Sequence, residues 1–193
     1  MEQENRFPIR KKLRITEHDY SSRGAYFVTI CVHDRKRLLS EILEPVGCGA
    51  LDAPPESWIL NVGVDVPNDP YMPSIRLTDI GKIVEKYLLS SQNISGVMID
   101  QYVIMPDHVH AIIFLNPDEY IKGLDGSSRA PNPTNEMLPH VISTLKRFCN
   151  KEIGEKIFQR GYMEHIIRDR EDYETRRKYI YENPMRWYYK YKS

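Results

Sequence analysis

The chain has 193 residues, 41% hydrophobic and 28% charged, proportions ordinary for a soluble globular protein with room for one real core. Its formal net charge is zero. Three cysteines (Cys31, Cys48, Cys149) without a Cys-x-x-Cys spacing argue against a disulfide framework or a zinc site, and for a reducing cytoplasm. No apolar run is long enough to cross a bilayer, and the opening Met1-Glu2-Gln3-Glu4 lacks a signal peptide's apolar core, so no membrane partner is expected. The zero average hides an uneven distribution. Residues 1–40 carry nine Lys and Arg against five Asp and Glu, residues 138–193 thirteen against eight, and the middle five against fourteen. Two basic ends meeting on one face would neutralise phosphates; as solvated surface they would mean nothing.

In chain order, Arg10-Lys11-Lys12-Leu13-Arg14-Ile15 reads as a basic arm that pairs at a sheet edge. Gly24 to Val32, β-branched and aromatic, reads as a buried first strand. From about 45 to 74 the chain is rich in Pro, Gly and Asp, which predicts an insertion with a short hairpin rather than a second domain. Thr78 is placed to cap a helix through Ser90, with Ile80, Ile83, Val84 and Tyr87/Leu88 on one face. Val97 to Ile104 is a second strand, Pro106-Asp107 a turn, and His108 to Leu115 a third strand. Asn116 to Asn135 is a polar loop, expected to be mobile. A helix over Leu138 to Ile153 points Val141, Leu145, Phe148 and Cys149 inward and leaves Lys146, Arg147 and Lys151 outside. A fourth strand is expected around Tyr162–Ile167. Asp169 then caps a last helix that ends at Asn183, stopped by Pro184. The order β-α-β-β-α-β plus a final helix predicts an α+β, ferredoxin-like antiparallel sheet in one domain over 1–193.

The chemistry begins at His108-Val109-His110. Side chains of a strand alternate between faces, so the two imidazoles project together and make half of a divalent-metal site. Tyr179 and Asn183 are four residues apart on the last helix and share a face. A phenol and an amide there would complete the site, or Tyr179 is a core residue and Asn183 a helix cap before proline.

Three separated segments carry a family resemblance. Tyr102-Val103-Ile104-Met105-Pro106-Asp107-His108-Val109-His110 resembles the His-hydrophobic-His segment of the single-tyrosine HUH transposases. Gln159-Arg160-Gly161-Tyr162 to Arg168 and Tyr179-Ile180-Tyr181-Glu182-Asn183-Pro184 resemble the REP-associated tyrosine transposase branch, as do Tyr20-Ser21 and Gly24 to Cys31. The resemblance spans most of the chain in the family's order, outside 45–74. It implies His108 and His110 as metal ligands, Tyr179 as nucleophile, and Asn183 as the polar residue that completes the metal site, where relatives outside the branch carry Gln. It implies Mg²⁺ or Mn²⁺, single-stranded or hairpin DNA of REP type as partner, a 5′-phosphotyrosine intermediate, and assembly as a homodimer or monomer.

For phosphate contacts the candidates are Arg10, Lys11, Lys12 and Arg14 with Lys146 and Arg147. Trp187, Tyr188, Tyr189 and Tyr191 either stack on unpaired bases or pack on their own domain. His165 orients the site, contacts DNA or packs in the sheet. A histidine-triad hydrolase would want a third histidine where Ile112 stands, and a two-histidine phosphoesterase would need a second His-x-Thr/Ser motif, which is lacking. The alternative that stays open is a non-catalytic or domesticated nucleic-acid-binding module of the same sheet topology.

Overall fold

The computed structural model describes residues 24–45, 72–116 and 137–191. Its elements are β1 (Gly24–Cys31), β2 (Ser40–Leu43), β3 (Ser74–Leu77), α1 (Asp79–Ser90), β4 (Val97–Ile104), β5 (His108–Leu115), α2 (Met137–Ile153), β6 (Met163–Ile167) and α3 (Arg170–Tyr191). The basic arm at 10–14, Tyr20-Ser21, Cys48, most of the 45–74 insertion and the 116–135 loop beyond Asn116 lie outside the described residues.

Four strands form an antiparallel sheet in the order β4-β5-β1-β6. With α1 between β1 and β4, and α2 between β5 and β6, this is the ferredoxin-like arrangement. β2 and β3 pair antiparallel as a separate two-stranded sheet, so the ends flanking the insertion are held side by side.

The continuous apolar run of β1 follows from its central position, with both faces covered. Tyr26, Val28, Ile30 and Val32, with Val109, Ala111, Ile113 and Leu115, join the main core beneath α1 and α2. On the other face Phe27, Ile112, Val103 and Met105 pack with Ile180 of α3 in a second, smaller core. Helices α1 and α2 therefore occupy one face of the sheet, and α3 the other.

Thr78 caps α1 as expected, accepting from the Gly81 N–H at 3.0 Å while donating to the Leu38 carbonyl at 2.6 Å. Gly81 is needed for that approach, because a Cβ there would fall 1.9 Å from the Leu39 carbonyl oxygen. Asp169 caps α3 through the Asp172 N–H.

Three expectations are corrected. Phe148 is not inward: it is 38% exposed and stacks on Tyr87 of α1 across the helix pair. Lys146 is not left outside but half-buried, its ammonium donating to the carbonyls of Gln159 at 2.9 Å and Gly161 at 2.7 Å before β6. Pro184 does not stop the last helix, which runs on to Tyr191 with Pro184 buried inside it. The extension is held from outside: Arg37 lies over the Trp187 and Tyr191 rings, Tyr188 donates to Glu44, and Trp187 packs on the second core.

Candidate active site

Both histidines lie at the start of β5 on the α3 face, 4.5 Å apart between ring centroids. The register sets His110 opposite Thr29 and His108 opposite Cys31 on β1. Each imidazole has its Nδ1 engaged by an oxygen. His108 Nδ1 bonds Asp107, and because a carboxylate only accepts, the proton sits on Nδ1 and Nε2 keeps its lone pair. His110 Nδ1 meets Thr29 Oγ1 at 2.8 Å, and ligation through Nε2 requires the same tautomer, with Thr29 accepting.

Both rings are buried. Burial holds His108 below the usual imidazole range even against Asp107, which pulls the other way. Burial pushes His110 down to about 3, with lesser contributions from His108 and Arg35. Two neutral imidazoles are the form a metal ion binds. His110 Nε2 is itself buried with no hydrogen-bond partner, an orphaned lone pair of the kind that a ligand satisfies.

Helix α3 comes back over this pair. The Tyr179 ring lies 5.2 Å from the His110 ring and 5.9 Å from Phe27, edge-on to both. Phe27 in turn stacks on His110 at 5.1 Å. Two turns along, Trp187 stands 6.1 Å from His108. Asn183 lies midway between Tyr179 and Trp187 on the same helical face and is buried, 6% exposed. Tyr179, at 36%, remains open to solvent.

Among the described residues no three His, Cys, Asp or Glu side chains come together. A divalent ion here would be held by two imidazoles and the Asn183 amide oxygen. The orphaned His110 nitrogen and the buried amide on the facing helix fit that donor set, which suits Mn²⁺ at least as well as Mg²⁺.

His165, on β6 opposite Phe27, is tied into α3. Its Nε2 donates to Asp172 at 2.7 Å, and Arg176 donates to the same carboxylate at 3.1 Å while lying over the Phe27 ring. That places it in the network anchoring the first half of α3. Arg147 is exposed, whereas the Lys146 ammonium is committed to backbone carbonyls. The sequence reading missed Thr29, Asp107 and Phe27. Asp107 could have been found, since a carboxylate directly before a ligand-type histidine is a common partner for its second nitrogen. Thr29 and Phe27 become visible only through strand register.

No family model matches the chain. It is 27% identical to an uncharacterised protein of Haemophilus influenzae over 195 residues, covering 92% of this chain and 89% of that one. The solved structure of the REP-associated tyrosine transposase bound to a REP hairpin is 18% identical, covering 84% of this chain and 67% of that one, with a TM-score of 0.48. Neither likeness assigns the chain to a family.

Proposed function

We propose that the chain is a metal-dependent enzyme that cuts and rejoins single-stranded DNA at hairpins of REP type, as a transposase does, with Tyr179 as nucleophile. The observation that carries this reading is the Tyr179 ring 5.2 Å from His110, above two neutral imidazoles on one strand. The resemblance of three separate sequence segments to the single-tyrosine HUH transposases supports it.

The Tyr179 oxygen attacks the scissile phosphorus in line and gives up its proton to solvent. The P–O3′ bond breaks as the P–O(Tyr) bond forms, leaving a free 3′-OH and a 5′-phosphotyrosine. Attack by another 3′-OH reverses the exchange and joins a new strand without ATP, because the linkage energy is kept in the phosphotyrosine. His108, His110 and Asn183 would hold a divalent cation, which would supply charge neutralisation at the scissile phosphate. Asp107 and Thr29 fix the two imidazoles, and Phe27 backs both His110 and Tyr179. A sheet-face nucleic-acid-binding module of this topology would leave that face open for stacked bases; here α3 covers it.

The test is incubation of labelled single-stranded hairpins with the protein and Mn²⁺. The expected product is a denaturation-resistant protein–DNA adduct that Tyr179→Phe abolishes while still binding DNA. Undiminished cleavage by Tyr179→Phe would overturn the assignment, and an adduct that persists in His110→Ala would overturn the metal role.

A further inference from the structure

Directly after β1 the chain makes a single 3-10 turn, His33–Arg35, in which Asp34 and Arg35 stand at φ 55° and 53°. Two successive side chains in the left-handed region are disfavoured for L-residues, and persist where surrounding bonds enforce them. Such bonds surround this turn. The Val32 N–H donates to the Asp107 carbonyl at 2.9 Å, His33 N–H to Ile157 at 2.7 Å, and Leu39 N–H to Pro106 at 3.0 Å. Met105 N–H closes the β4–β5 hairpin on His108 at 2.9 Å. The strained turn and the hairpin tip bearing His108 are thus one stitched unit.

What the turn achieves is the placement of Arg35. Its Nη1 stands 3.7 Å from the Asp107 carboxylate that orients His108, while the side chain stays 49% exposed. At that distance the contact is an ion pair without a hydrogen bond. Among the described residues no side chain or carbonyl accepts from the guanidinium. A half-exposed ion pair of this length stabilises little. Arg37, two residues on, is by contrast committed to the Trp187 and Tyr191 rings.

We propose that Arg35 binds a phosphate of the DNA strand lying across the His108/His110 pair. The inference rests on the strand-cleavage reading above. Its fork of donors, unclaimed among the described residues, matches two phosphate oxygens.

The experiment measures binding of a fluorescent single-stranded hairpin in EDTA, as log affinity against log salt, with adduct formation in Mn²⁺ scored in parallel. Arg35→Gln is expected to bind about fivefold more weakly and to flatten the slope by about 0.7, the share of one phosphate contact on single strands. Arg35→Lys should restore the slope, and Asp107→Asn, which keeps the guanidinium, should leave it unchanged. If wild type forms the adduct while Arg35→Gln matches it in slope and affinity, this inference fails and the strand-cleavage reading stands. If Asp107→Asn flattens the slope as much as Arg35→Gln, Arg35 acts only through Asp107 and the inference also fails. Wild-type protein that neither binds the hairpin nor forms the adduct overturns both.

Discussion

Thr29 shows how one hydroxyl sets the chemistry of a residue far away in sequence. It fills the Nδ1 side of His110 and so leaves Nε2 to face the site. In Thr29→Val a methyl group replaces the hydroxyl at similar volume, and a buried ring nitrogen loses its partner. Such a loss destabilises by about 1–3 kcal/mol, and loosening a ligand's outer partner lowers metal affinity by about 10-fold or more. Urea melts and Mn²⁺ titration of the variant read the two effects separately; wild-type Mn²⁺ affinity would refute the orienting role. The histidine pair itself was legible in the sequence, because strand alternation places residues two apart on one face whatever the fold. Its partners were not, since Thr29 meets His110 only through the β1–β5 register.

At the scale of elements, α3 departs most from expectation. Proline inside a helix removes one N–H and crowds the preceding turn, which is why the sequence predicts a stop after Asn183. The helix continues because its last two turns are held by side chains from elsewhere: Arg37 on Trp187 and Tyr191, Glu44 on Tyr188, and the second core beneath Trp187. The first half is pinned in the same way, by Tyr173 donating to Asp100 at the β4 irregularity and by the His165–Asp172–Arg176 network. Tyr179 and Asn183 lie between the two anchors. Trp187→Ala is therefore expected to cost about 2–3 kcal/mol, below the loss for a fully buried tryptophan. It should also lower adduct yield with Tyr179 intact. Full stability in that variant, measured by urea denaturation, would show that the extension contributes nothing. By contrast α1, α2 and the four sheet strands were legible almost to the residue, because caps and periodicity are local signals.

Across the whole molecule, the sheet carries a large core on one face and a small one with a polar site on the other. Covering two imidazoles with α3 makes the metal-free fold acid-sensitive. Burial holds His110 at about 3, against 6.5 for an ordinary histidine, and lowers His108 as well. Above about pH 6.5 both are neutral whether the chain is folded or not, and neither contributes a pH dependence. As the pH falls further, the unfolded chain takes up protons that the folded one refuses. Stability is then lost at up to about 1.4 kcal/mol per pH unit for His110, until the folded group titrates. Urea denaturation in EDTA at about pH 7 and about pH 5 should show this loss, and His110→Gln should reduce it. An equal loss in that variant would assign the acid sensitivity to other groups.

The sequence by itself determined the four strands of the main sheet, helices α1 and α2, their ferredoxin-like order, and the shared face of His108 and His110, and of Tyr179 and Asn183. These are consequences of chain periodicity, which acts over a few residues. The sequence did not show the β2–β3 pair. Only the tertiary structure decided that α3 lies across β5 with Tyr179 beside His110, that it runs through Pro184, and that Thr29, Asp107 and Arg35 surround the pair. Those outcomes depend on strand register and on contacts between residues as much as 144 positions apart, and no local pattern encodes them.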